Sequence, residues 1–187
     1  ISGLDLTPQY LWLDEQRELF ALTYGWMGLA PRGWGAALED LQAVQDRAEK
    51  EYHRSLAREL TNELPANWVV RNVSVLDVED GALRAGQVVA VSAGRILRIA
   101  DDNGADLPVY GDLQPRVIDG QGMILMPGLW DMHTHLSLDD GLLQIAAGVT
   151  AVRDLANDPE RLREVRAAFD SGEVIGPRSV AAGFIDG

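Results

Sequence analysis

The spacing of apolar residues along the chain changes twice, and each change marks a new kind of element. Residues 9–25, QYLWLDEQRELFALTYG, set the strand-favouring Tyr10, Trp12, Phe20, Thr23 and Tyr24 on either side of a polar break, DEQR. This pattern predicts a β-hairpin. A lone hairpin is not stable in water, so it is expected to belong to a larger sheet. The Gly- and Pro-rich stretch MGLAPRGWG, 27–35, reads as a connector. From Ala36 to Leu64, Leu38, Leu41, Val44, Ala48, Tyr52, Leu56, Leu60 and Leu64 recur every three or four residues, and Pro65 follows. That spacing predicts one apolar stripe on a long helix packed against a neighbouring domain. At about 1.5 Å per residue the helix reaches about 40 Å. His53 lies beside Tyr52 on it and is expected to be a solvated or capping histidine.

From Asn67 the period shortens to that of strands. WVVRNVSVLDV, QVVAVSAGRILRIA and RVIDGQGMILMPG are Val- and Ile-rich runs, broken by EDGALRAG and DDNGADLP. They predict a small all-β unit with Gly81, Gly86, Gly94 and Gly104 in or near turns. Beyond it the pattern lengthens again. MILMPGLWDMHTHL reads as a buried strand with its outgoing loop, LDDGLLQIAAG as a helix and VTAVRDL as a second strand. DPERLREVRAAFDSG reads as a second helix, with Asp158 as N-cap and Pro159 in its first position. PRSVAAGFI reads as a third strand. Strand–helix–strand–helix–strand is the signature of an α/β fold with a parallel sheet. The domains expected are an accessory segment 1–65, a β unit 66–122 and a βα unit 123–187.

Composition narrows the function classes. The 187 residues carry a net charge of −13, which is unsuited to wrapping a nucleic acid. There is no cysteine, so disulfides, thiolate metal sites and a cysteine nucleophile are excluded. No apolar run approaches the roughly 20 residues that span a bilayer. The start, ISGLDLTPQY, lacks a basic n-region and an h-region. It also lacks an initiator Met, so it reads as a cut start of a soluble chain, with cytoplasm and periplasm or secretion both open.

The candidate chemistry lies in DMHTHL, 131–136. Residues i and i+2 of a strand share a face, so His133 and His135 are expected side by side with Thr134 opposite. Their Cα atoms would lie roughly 6.5–7 Å apart, a spacing at which two imidazoles converge on one ion. Both are expected at the carboxyl end of their strand, where active sites of parallel barrels assemble. Asp131 is expected on the same face, either as an acceptor orienting an imidazole or as a brace of the strand end. Arg153 and Asp154 end the next strand on opposite faces and are expected to pair as a strand–helix brace. Trp12, Trp26, Trp34 and Trp68 are expected to pack the accessory region, and Trp130 to be core.

With its Pro-Gly, Asp and H-x-H, VIDGQGMILMPGLWDMHTHL resembles the first barrel strand of the metal-dependent amidohydrolase superfamily. GVTAVRDLAND resembles the second barrel strand of its imidazolonepropionase-like and prolidase-like subgroup. Asn67 to Gly122 resembles the β-sandwich that flanks such barrels. The resemblance covers about residues 67–187; residues 1–65 carry no such match.

The fold implied is the first three βα units of a (β/α)8 TIM-type barrel, preceded by part of a β-sandwich and by an accessory hairpin plus long helix. The function implied is hydrolysis of an amide, cyclic amide or peptide-like C–N bond by a metal-activated water, with His133 and His135 binding one or two divalent ions, most simply zinc. In this superfamily a Lys or Glu, two further His and a general-base Asp follow the third strand, and none of those positions exists here. A catalytic zinc needs about three protein ligands. The expectation is therefore a remaining barrel segment, as second chain or continuation, that completes a homo-oligomeric enzyme acting on a small or peptide-like substrate. Two other readings stay open: a non-catalytic scaffold or assembly subunit, and a simple metal-binding module in which Asp139 or Asp140 joins the histidines.

Overall fold

The computed structural model describes residues 10–24, 26–104 and 115–183. Gln9, Gly25, the second half of DDNGADLP and the end of PRSVAAGFI, for which elements are expected, lie outside them. The chain divides into two compact units, Ile1–Thr61 with Leu129–Gly187, and Asn62–Gly128. The accessory segment therefore shares a unit with the βα elements. The two units also divide the run MILMPGLWDMHTHL between Gly128 and Leu129.

In the first unit, β1 (Trp12–Leu13) and β2 (Leu19–Thr23) form the expected antiparallel hairpin. A third strand, β3 (Gly28–Leu29), pairs with β2 inside the stretch expected to be a plain connector. Trp34 stacks edge-on against Phe20, with ring centroids 5.3 Å apart, while Trp26 lies exposed. Helix α1 spans Leu38–Leu60, shorter at both ends than Ala36–Leu64. A 3-10 turn at Gly35–Ala37 precedes it, and Thr61 turns extended at its end. Pro65 then disfavours helical geometry at Leu64.

The packed face of α1 coincides only in part with the apolar stripe, of which Leu38, Leu41 and Leu56 are half-buried. Val44, Tyr52 and Leu60 are exposed, while His53 and Ala57 are buried and Gln45 and Glu49 half-buried. This face lies one position along from the stripe because its partners are polar. Thr23 Oγ1 donates to Gln45 Oε1 at 2.7 Å, and Gln45 Nε2 donates to Glu49 Oε1 at 2.8 Å. Burial raises the Glu49 carboxyl above its ordinary value, and the nearby Asp139 and Asp46 add to the effect. Burial likewise raises the Tyr10 phenol, reinforced by Glu49 and Asp139.

Strands β9 (Leu129–Thr134), β10 (Val149–Asp154) and β11 (Arg178–Ala181) form a parallel sheet in the order β11-β10-β9. Helices α2 (Leu138–Ala146) and α3 (Pro159–Asp170) connect them. The α2 start is fixed by Asp140, whose Oδ2 accepts the Ser137 N–H and hydroxyl. The α3 start is fixed by the Asp158 carboxylate, which accepts the N–H groups of Glu160 and Arg161. One apolar core joins Leu136, Val152, Leu162, Val165, Ala168, Phe169 and Val174. Leu129, Trp130 and Met132 are half-exposed, so β9 is not the buried strand expected and Trp130 is not core.

In the second unit, β4 (Asn67–Leu76), β5 (Leu83–Ser92), β6 (Arg95–Asp101), β7 (Arg116–Asp119) and β8 (Ile124–Leu125) form one sheet in the order β6-β5-β4-β7, with β8 also on β4. The sheet is mixed: β5 runs antiparallel to β4, while β7 and β8 run parallel to it. The two-residue turn Ala93-Gly94 has φ of 47° and 74°, as a tight hairpin between right-twisted strands requires. Arg71 donates twice to Asp102 Oδ1, at 3.0 and 2.5 Å. These bonds, helped by the N–H groups of Asn72 and Gly104, hold the Asp102 carboxyl down at about 2. Among the described residues no helix is long and apolar enough to cross a membrane.

Two outcomes follow for the first unit. A Cβ on Gly141 of α2 would press on the Ile175 carbonyl and the Phe169 ring. Gly141→Ala is expected to destabilise by about 1–3 kcal/mol, more than the roughly 1 kcal/mol of helix propensity that it gains, and to lower the melting temperature. An unchanged melting temperature would disprove that contact. The raised carboxyl of Glu49 contributes its full stability below the unfolded value of about 4.3 and loses it as pH rises through the folded value. Glu49→Gln is therefore expected to melt higher than the parent at pH 7 and to converge with it below about pH 4. A variant that melts lower at pH 7 would refute the account.

Candidate metal centre

The site is built at the carboxyl end of β9. Parallel pairing sets Asp131 beside Val152 and Thr134 beside Asp154, three steps along β9 against two along β10. The extra residue is a β-bulge at Met132–His133, and it breaks the simple alternation expected of the strand. In-register partners share a face, so Asp131 lies on the helix-covered side with the core residue Val152. There Gln144 of α2 donates to Asp131 Oδ2 at 3.4 Å. The expectation that Asp131 shares a face with the histidines is corrected accordingly. Asp131 touches the site through the backbone: the His133 N–H donates to its Oδ1 at 3.0 Å.

The two histidines do come together. The rings of His133 and His135 lie with centroids 5.5 Å apart and planes at 80°, and both residues are exposed. Two imidazoles on one zinc, at Zn–N of about 2.1 Å and a near-tetrahedral angle, place their centroids about 5–6 Å apart. The pair fits as half of a site. Among the described residues no cluster of three or more His, Cys, Asp or Glu side chains is arranged to hold an ion.

The other candidates are engaged elsewhere. Asp139 Oδ1 lies 2.7 Å from His53 Nε2, and Asp140 is committed to the start of α2. His53, expected to be a solvated or capping histidine, is buried and docks α1 onto α2. Arg153 and Asp154 do not pair. Arg153 Nε donates to the Met132 carbonyl at 3.1 Å, while Asp154 is fully buried.

The arrangement around Leu136 was not anticipated from the sequence. Asp154 Oδ2 accepts the Leu136 N–H at 2.7 Å and Asn157 Nδ2 at 3.2 Å, and that Nδ2 also donates to the Leu136 carbonyl at 2.7 Å. The signal available is a D-x-x-N spacing, Asp154 to Asn157, that follows VTAV after Arg153.

No family model matches the chain. It is 34% identical over 88 residues to an adenine deaminase of Ruegeria sp. (strain TM1040), covering 47% of this chain and 14% of that protein. It is 34% identical over 86 residues to an adenine deaminase of Rubrobacter xylanophilus, covering 46% and 14%. Among solved structures it is similar to a protein provisionally assigned as a prolidase from Bifidobacterium longum, with 26% identity and a TM-score of 0.54, covering 65% of this chain and 31% of that one. The chain thus spans about a seventh of the curated relatives and under a third of that structure.

Proposed function

We propose that the chain is part of an amidohydrolase-type hydrolase of carbon–nitrogen bonds, a reading supported by its partial likeness to adenine deaminases and to a prolidase-like structure. The observation that carries the reading is the pair of exposed imidazoles, 5.5 Å apart, at the carboxyl end of a parallel strand. That end is where α/β sheets gather their active-site groups. Three consecutive parallel strands with α2 and α3 between them support the first three units of a (β/α)8 barrel. The mixed five-stranded sheet supports part of its flanking sandwich.

In this reading His133 and His135 hold a divalent metal, most simply zinc, and one or two ions occupy the completed site. The metal, when bound, polarises a substrate carbonyl and makes water a better nucleophile near neutral pH. The residues of this chain do the positioning. Both imidazoles bind in the neutral form, each offering one ring nitrogen. Asp131 fixes the His133 peptide from behind, where it does not compete as a ligand. The bulge at Met132–His133 leaves both rings on the open side of the strand. A segment beyond these 187 residues, in the same or a second polypeptide, supplies the remaining ligands and the general base. The substrate class is an amide, cyclic amide or peptide-like C–N bond. A neighbour described as a prolidase fits a peptide-like bond, while two relatives described as adenine deaminases fit only the broader class of carbon–nitrogen bonds.

The test is made on the complete protein. His133→Ala is expected to lower bound zinc and to cut turnover of dipeptide and cyclic amide substrates by more than about 100-fold, beyond the range of an outer-sphere change. Parent-like zinc content and turnover would overturn the assignment.

A further inference from the structure

We propose that Asp154, with Asn157, is a positioning residue for His135; the inference rests on the metal-site reading above. The histidine is bracketed by backbone groups tied to the end of β10. Before it, the Thr134 carbonyl accepts the Leu155 N–H at 3.1 Å. After it, the Leu136 N–H goes to Asp154 at 2.7 Å, and the Leu136 carbonyl accepts from Asn157 at 2.7 Å. The Leu136 side chain is itself buried in the core with Val152, Leu162 and Phe169. Every backbone polar group of Leu136 is thus held by a side chain from the neighbouring strand end. The direction of the His135 Cα–Cβ bond follows from the two peptides that this clamp holds.

The chemistry of the clamp supports a functional role over a purely structural one. Asp154 is fully buried, and no Lys, Arg or His pairs with it among the described ion pairs. Burying a carboxylate without a cation is unfavourable even when it is hydrogen-bonded. Three donors partly compensate: the Leu136 N–H, Asn157 Nδ2 and, more weakly, the Ala156 N–H at 3.4 Å. An apolar or amide side chain at this place would serve packing at lower cost. A carboxylate oxygen binds its two donors more strongly than a neutral amide oxygen does, and so holds the Leu136 N–H more firmly. Groups that orient metal ligands typically change affinity by about 10–100-fold when lost.

The experiment uses the complete protein and reads two quantities: zinc affinity by competition with a chromophoric chelator, and the melting temperature of the metal-free form. Four proteins are compared: parent, Asp154→Asn, Asp154→Ala and His135→Ala. The proposal expects Asp154→Asn to melt within a few degrees of the parent, or higher, yet to bind zinc about 10-fold more weakly. Asp154→Ala is expected to lose about 100-fold. Should it fail to fold, the Asn variant carries the test alone. Zinc affinity within twofold of the parent in the Asn variant would overturn the proposal, whatever its melting temperature. The His135→Ala control separates the two readings. If it leaves zinc affinity unchanged, the metal-site reading itself fails; if it abolishes binding while Asp154→Asn does not weaken it, only the positioning role fails.

Discussion

The middle strand of the parallel sheet carries the constraint on which the first unit depends. Val152 and Asp154 are successive helix-facing positions of β10, and both are fully buried. Val152 sits among Leu162, Val165 and Phe169 and supplies the apolar term, about 1.5–3 kcal/mol for a fully buried aliphatic side chain. Asp154 supplies the opposite term, a carboxylate moved out of water. The two meet in Leu136, whose side chain packs in the same core and whose N–H binds the carboxylate. Core packing and the placement of His135 are therefore one contact. A change that loosens the core beside Leu136 also loosens the peptide next to the histidine.

The accessory helix adds a second layer of polar fit. It docks through Gln45, His53 and Arg54, which meet Thr23, Asp139 and Glu173. Of these contacts only Arg54–Glu173 joins two charged side chains, both partly exposed, and such a pair contributes about 0–1 kcal/mol. Their spacing along α1 nonetheless fixes which residues of the helix oppose α2 and the chain after α3. A leucine stripe sliding on an apolar surface would tolerate several such placements. The His53–Asp139 pair lies four residues beyond His135 in the chain, so the accessory helix buttresses the element that immediately follows the histidines.

Much of this order is legible in the sequence, and the failures share a cause. The Pro at the start of α3, the Asp cap and the alternation of strand and helix are local signals, and the elements they predict are there. The H-x-H pair was legible too, because a period of two needs only the residues themselves. The face of Asp131 was not. One bulged residue at Met132–His133 reverses alternation upstream of it, and nothing in DMHTHL signals a bulge. The docking face of α1 is legible only in part, for a related reason. Leu, Val and Tyr mark a stripe when the partner is apolar, whereas this partner offers a hydroxyl and carboxylates. Asp154 reads in the sequence as half of a pair with Arg153, its neighbour, but its partners come from the end of β9 and from Asn157. Tertiary partners of polar groups do not appear in a period.

The same reasoning bears on where further ligands can approach. Among the described residues the carboxylates of the β9–α2 and β10 segments are already committed: Asp131 to a peptide N–H, Asp139 to His53, Asp140 to a helix start and Asp154 to Leu136. Among the described residues none is left to complete a coordination sphere around His133 and His135, which suits a pair of ligands awaiting partners more than a self-sufficient ion trap. Beside the two rings, Trp130 and Met132 of β9 and Val180 of β11 remain half-exposed. Large apolar side chains on a parallel sheet are usually covered, because βα connections wrap both of its faces. Under the proposed reading the strands that cover them also bring the missing ligands, so burial of Trp130 and completion of the metal site are one event.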